Sequence, residues 1–286
     1  MKRRNKPFFA KKVAGRIYGE AKKNKTVFAV FVILRILVIT IGVFSALAGN
    51  YWNCFLCILS LVLFLIPSFV TKNLGIHLPE PLEIIVLLFI FAAEILGEIS
   101  SFYVRVPHWD TMLHTVNGFL CAAIGFALVD ILNRSSKIKF QLSPFYLAIV
   151  AFCFSMTVGV LWEFFEFFMD YVFLMDMQKD TVVYALPSVT FDTTMSNDVV
   201  VIDAITNTIV QTSDGTLYNF ADYGINGYLD MGVIDTMKDL FVNFIGAVVF
   251  SAIGYVYVKT RGKGKIAKGL IPTLKDDGTE MIDAEF

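Results

Sequence analysis

The sequence predicts an all-α polytopic membrane protein, a six-helix transmembrane bundle with a small β-rich extracytoplasmic insertion between the last two spans. Three observations predict it. Only 17% of the 286 residues are charged while 56% are hydrophobic, and a water-soluble domain carries about 25% charged residues. Mean hydropathy is +0.66, and six apolar blocks reach the roughly 20 residues that a helix needs to cross a bilayer core. Lysine and arginine crowd into alternate connecting segments, as they do beside membrane-spanning helices.

Residues 1–25 form a basic segment with ten lysines and arginines between Lys2 and Lys25. Phe8, Phe9, Val13, Ile17 and Tyr18 among them allow an amphipathic helix lying on anionic lipid; a disordered basic anchor is the equal alternative. The first span is expected over 26–48, and Gly49-Asn50 turns the chain into the second, 52–70. Pro79 and Pro81 precede the third span, 82–101, and Pro107 precedes the fourth, 111–132. Pro144 opens the fifth, 145–168, where proline suits a first helical turn. The five spans and their connections make a transmembrane region over 26–170. Residues 171–234 differ in composition, with nine aspartates, counting Asp235, against the single Lys179. Val199–Ile202 and the runs flanking Asp214-Gly215 alternate β-branched and polar residues, and Asp-Gly between such runs signals a hairpin. A sixth span follows over 237–258 within a segment 235–258, and 259–286 is a tail expected to be acidic and unstructured after Gly269.

An even number of spans places the N-terminal segment, Lys72, the loop with Arg134, Lys137 and Lys139, and the basic start of the tail on one side. Only Arg105 stands in the short loops of the other. The basic side is the cytoplasm, so both termini are expected there, in a bacterial-type plasma (inner) membrane. The bilayer is then the main partner. Nucleic acid is not expected as one, because the basic residues serve tails and loops beside apolar spans. Four cysteines are too few for a disulfide framework. Cys54-x-x-Cys57 reads as two small apolar residues packed in a helix rather than a redox or metal pair, with Cys121 and Cys153 read likewise.

A carboxylate at the centre of a transmembrane helix costs roughly 2.5–3.5 kcal/mol, so it faces protein or water. Here such groups gather at one end of four helices. Glu94 and Glu98 close the third span, and Asp110, His114 and Asn117 open the fourth on one face. Glu163, Glu166 and Asp170 close the fifth, and Asp235, Asp239 and Asn243 open the sixth. Several carboxylates together need protons or a cation. Asp110-x-x-x-His114 and Glu163-x-x-Glu166 set two ligands on one helix face, as in metal sites of bundle cores. Oxygen ligands with one imidazole suit Mg, Mn, Fe, Ca or Zn. The expected divalent-metal ligands are Asp110, His114, Glu163, Asp239 and Asp235, with Glu166 and Glu98 as catalytic carboxylates. A hydrated vestibule or a structural hydrogen-bond network would use the same residues.

Other polar residues have narrower readings. Arg35 is expected to pair with Asp130 or to snorkel. Tyr103, Trp109 and Trp162 suit an aromatic belt, and His77 suits a solvated loop. His108 stands close enough in sequence to join the site. Lys238 is a candidate counter-ion for Asp235 and Asp239, which would remove the need for a metal.

The strings Trp109-Asp110-Thr111-Met112-Leu113-His114 with Gly118, Trp162-Glu163-Phe164-Phe165-Glu166, and Asp235-Thr236-Met237-Lys238-Asp239-Leu240 resemble those of the uncharacterised bacterial inner-membrane family called YjdF. The resemblance covers spans three to six. It implies that Asp110, His114, Glu163, Glu166, Asp235 and Asp239 act as one site, and it brings no activity with it.

Three functions remain open on these residues. One is a metal-dependent hydrolase or transferase acting on a lipid-linked or envelope substrate, with the metal lowering the pKa of bound water and Glu166 as general base. Another is an ion- or proton-coupled transporter, although no inverted repeat or interrupted span is visible. The last is a non-catalytic scaffold whose insertion binds a partner. A nucleophilic enzyme is disfavoured, since no serine or cysteine stands one turn from His114.

Overall fold

The computed structural model describes residues 25–73, 76–134, 142–260 and 269–274. The expectations about the N-terminal basic segment, the loop with Lys137 and Lys139, and the tail beyond 274 fall outside these residues. The chain divides into two compact units, Met1–Gly159 with Val242–Phe286, and Val160–Phe241.

In the first unit, α1 (Lys25–Leu47) ends at Gly49, whose positive φ of 73° turns the chain. The Asn50 side chain then caps α2 (Tyr51–Leu63) by accepting the Asn53 amide at 3.1 Å. The expected second span continues as α3 (Ile66–Asn73) after a break at Phe64 and Leu65. Pro67 explains the break: it has no N–H to give the preceding turn, and it disfavours helical geometry just before it. After β1 (Ile76–His77), Pro79 and Pro81 lead into α4 (Glu80–Phe91). The helix does not stop there. It rewinds as a π-helix over Ala92–Ile99 and carries Glu94 and Glu98 on the wider turns. Ser101 leaves it in the left-handed region before the short α5 (Phe102–Arg105).

Helix α6 (Trp109–Arg134) follows, then α7 (Pro144–Phe173) and α8 (Val233–Lys259). The first unit holds two cores. One joins Leu120, Phe126, Leu147, Ala151, Phe250 and Tyr257 of α6, α7 and α8 with Leu82 of α4. The other joins Leu34, Val38, Cys57, Phe64, Leu87 and Ile90 of the earlier helices. Outside these cores the helices present large apolar side chains, including Ile36, Phe44, Phe55 and Phe69. A water-soluble monomer rarely exposes so continuous an apolar surface.

Among the described residues, five segments are long and apolar enough to cross a membrane: Lys25–Leu47, Tyr51–Thr71, Trp109–Asp130, Pro144–Phe173 and Val233–Lys259. The expected third span is helical from Glu80 to Ile99, but its winding changes at Ala92. The unstructured tail after Gly269 needs correction. Thr273 and Leu274 form β8, which pairs antiparallel with His77 and Ile76, and Ile271 is fully buried in the first core. Burying Ile271 offsets the entropy of ordering these few residues, which an estimate from the acidic composition further on overlooks.

The second unit holds the end of α7, the start of α8 and three short antiparallel pairs between them. Strands β2 (Val182–Val183) and β7 (Tyr228–Leu229) pair, as do β3 (Leu186–Ser188) and β4 (Val200–Ile202). Strands β5 (Ile209–Gln211) and β6 (Leu217–Asn219) form the hairpin expected around Asp214-Gly215, with Gly215 at φ 88°. The Asp214 carboxylate accepts the Thr212 hydroxyl and the Thr216 amide across the turn, and these bonds draw its pKa down to about 2.

Candidate functional site

In the first unit the polar residues form a layer where α6, α7 and α8 meet. Gly118 and Gly246 have no room for a side chain: a Cβ on either would overlap the carbonyl of Asn243 or Thr115, respectively. A Cβ on Gly159 would stand 2.6 Å from the Asn243 side-chain nitrogen. These small residues let the helix backbones touch, a common means of holding apolar helices together. The Ser155 hydroxyl donates to the Gly118 carbonyl at 2.7 Å. Asn243 is fully buried, and Asn117 donates to its side-chain oxygen at 3.5 Å. One turn before Asn117, His114 is buried with Nε2 3.5 Å from Asp110 Oδ1.

On the π segment Glu94 is half-buried and Glu98 is exposed. His108 is exposed, with a left-handed backbone just before α6. The expected Arg35–Asp130 pair does not form. The Arg35 guanidinium instead lies 4.0 Å over the Phe31 ring and makes no ion pair among the described residues. Residues 31 and 35 are one helical turn apart, so this contact is local. Cys54 donates weakly to the Gly42 carbonyl at 3.7 Å and Cys57 is a buried free thiol, in keeping with packing roles.

In the second unit Glu163 and Glu166 are only 4% and 8% exposed, and carboxylate oxygens of the two lie within 4.8 Å of each other. The Trp162 ring nitrogen donates to Glu166 Oε1 at 2.9 Å, so this tryptophan does more than mark a membrane boundary. Asp239 is 2% exposed. The remaining aspartates of the expected stripes tie the insertion to the helix ends. Asp170 accepts the Met177 and Gln178 amides at 2.6 and 2.8 Å, and Asp235 accepts the Lys179 amide at 2.7 Å.

Asp230 was not singled out from sequence, yet it holds the entry to α8 by accepting the Thr181, Ile234 and Gly232 amides. Burial pushes its carboxyl up, but the three amide bonds outweigh this and leave it below the ordinary carboxylate range. Its signal was present as an aspartate just before an apolar helical run. Gln178, also missed, is buried and donates to Thr236 Oγ1 at 2.5 Å. A lone glutamine in a loop carries no pattern that would reveal it. Near it, burial and then the charges of Asp176, Asp230 and Asp170 raise the Asp180 carboxyl.

Lys238 does not neutralise Asp235 or Asp239. It is exposed and makes no ion pair among the described residues, while Lys179 bonds the Asp176 carbonyl and carboxylate. Successive helix positions are about 100° apart, which turns Lys238 away from its buried neighbour Asp239.

No curated protein and no solved structure matches the chain. The family model described as Predicted membrane protein (DUF2238) matches residues 28–260. That match takes in all three motif strings and the helices described above from Phe28 onward, and the chain belongs to this family of membrane proteins.

Proposed function

We propose that this membrane protein binds a divalent cation through the polar ends of α6, α7 and α8 and uses it in hydrolysis or group transfer on a lipid-linked or envelope substrate. The observation that carries the reading is the pair Glu163 and Glu166. Two buried carboxylates within 4.8 Å of each other cannot both stay ionised without a shared proton or a positive charge.

The sequence spacings Asp110-x-x-x-His114 and Asp235-x-x-x-Asp239 support adding ligands from α6 and α8. Gly159, Asn117 and Asn243 share one packing layer. Glu163 stands one turn beyond Gly159 on α7, His114 one turn before Asn117 on α6, and Asp239 one turn before Asn243 on α8. Asp110, His114, Glu163 and Asp239 are the proposed ligands, with Glu166, held by Trp162, as general base. Asp235 is the weaker ligand because its carboxylate already accepts the Lys179 amide. Glu98 is the weaker catalytic group because it is exposed. A bound Mg, Mn, Fe, Ca or Zn would polarise the substrate and activate water. The lysine and arginine distribution supports a six-span topology in the plasma membrane with cytoplasmic termini and the site toward the outer face.

Thermal unfolding of detergent-purified protein tests the cation. A ligand that binds only the native state stabilises it. A chelator should therefore lower the wild-type melting temperature by several degrees and leave Glu163→Gln and His114→Ala nearly unchanged. If both variants melt low while the chelator leaves the wild type unmoved, the cluster is a structural network and the cation reading fails.

A further inference from the structure

Helix α8 carries a second feature, independent of the cation reading. Val233, Ile234, Met237, Lys238 and Phe241 line a shallow concavity of about 340 Å³ that is apolar except at its lysine. Val233, Met237 and Phe241 are each 60% exposed or more. They recur every four residues and so form one stripe along the helix. Lys238 stands at the edge of this stripe with no ion pair among the described residues. The acidic groups nearest it on the helix are committed elsewhere: Asp235 to the Lys179 amide and Asp239 to a buried position.

Depth decides what such a feature meets. Helix α8 has 27 residues, about 40 Å at 1.5 Å per residue, against a hydrocarbon core about 30 Å thick. A centred helix overhangs by about 5 Å at each end, and Lys238 lies about 7.5 Å from the start of α8. Its ammonium therefore reaches the glycerol-phosphate level by extending along its own stem, while Met237 and Phe241 lie at acyl depth.

We propose that this stripe binds an anionic phospholipid, with the phosphate on Lys238 and an acyl chain along Met237 and Phe241. The exposed Lys238 ammonium, opposite in charge to a phosphate and set beside an apolar stripe, selects this occupant. The segment 171–234 is strongly acidic, with Lys179 its only lysine and no arginine, and that lysine is bonded to Asp176. Lys238 is thus the unit's available cation for a phosphate, and the groove beside it suits a chain and not a water-soluble anion.

Native mass spectrometry of the full chain, purified with equal amounts of phosphatidylglycerol and phosphatidylcholine, tests this. Wild type should retain one phosphatidylglycerol in about fivefold preference, the scale of one lysine near anionic lipid. Lys238→Gln should lose the preference and Lys238→Arg should keep it. Met237→Ala with Phe241→Ala should reduce retention of both lipids. Excess inorganic phosphate should leave the bound lipid in place. Equal retention of the two lipids by wild type, an unaltered preference in Lys238→Gln, or displacement by inorganic phosphate would overturn the proposal. Because Lys238 is exposed, its variants should melt with the wild type, which separates a binding loss from a folding loss.

Discussion

Asp110 Oδ1 and His114 Nε2 stand 3.5 Å apart on one helix face. That is long for a charge-assisted hydrogen bond. It is close to the edge of a tetrahedron of ligand atoms set about 2.1 Å from a central ion, roughly 3.4 Å. The pair is therefore spaced as two ligands of one cation would be. Asp110→Ala should weaken cation retention about tenfold or more, measured by competition with a chromophoric chelator. Unchanged retention would reassign Asp110 to favouring the start of α6 by its charge alone.

The contact between Gly118 and the Asn243 carbonyl leaves no space for a methyl group. Gly118→Ala should lower stability by about 1–3 kcal/mol, the usual cost of overpacking. Ser155→Ala at the same layer removes one hydrogen bond and should cost about 1 kcal/mol. Denaturant or thermal unfolding in detergent compares them. A Gly118→Ala protein as stable as wild type would show that α6 and α8 do not pack backbone to backbone.

Of this layer the sequence singled out only Asn117 and Asn243, as polar residues on the carboxylate faces, and Gly118 within a motif; Ser155, Gly159 and Gly246 passed as ordinary small residues of apolar runs. The apolar blocks and their bounding prolines placed the long helices within a few residues, and Asp-Gly located a hairpin. The π winding at Ala92–Ile99 was not legible. It follows from how the helix packs, and no residue there forbids an ordinary α-helix. The π segment also bears on Glu98, since a change in winding rotates every later side chain around the axis. Lys238 stands on sequence spacing as a candidate counter-ion, three residues from Asp235 on one helix face; its exposure, with no ion pair among the described residues, is a matter of side-chain placement that spacing does not fix. The Arg35–Asp130 alternative does not hold because an aromatic ring one turn away is a partner that a search for carboxylates does not find.

Asp230 and Asp180 should give the second unit opposite responses to acid. The Asp230 pKa is depressed in the folded state, so its stabilisation is present above the unfolded value of about 3.9 and is lost as pH falls through the lower folded value. The Asp180 pKa is raised, so its ionised form opposes folding at neutral pH and protonation relieves it as pH falls. Asp230→Ala should destabilise the unit at neutral pH by about 0.5–2 kcal/mol, the range for losing a helix-capping side chain. Asp180→Asn should be neutral or stabilising there. Hydrogen exchange at the Thr181 and Ile234 amides reads both. Full protection in Asp230→Ala at neutral pH would contradict the capping role.

Reporter fusions after Lys25, Lys139 and Lys263 should report cytoplasm, and one at Asp214 should report the opposite side. The argument is the concentration of lysine and arginine in alternate connections. A fusion at Asp214 reporting cytoplasm would remove the six-span topology and the outward-facing site together.

Elemental analysis of protein purified without chelators tests the central claim most directly. The account predicts about one equivalent of a divalent metal per chain in the wild type, and its loss in Glu163→Gln and in His114→Ala. Lys238→Gln should keep the full equivalent, because that lysine is exposed and makes no ion pair among the described residues. Wild-type protein that is free of metal and takes up none of Mg, Mn, Fe, Ca or Zn on dialysis would contradict the account.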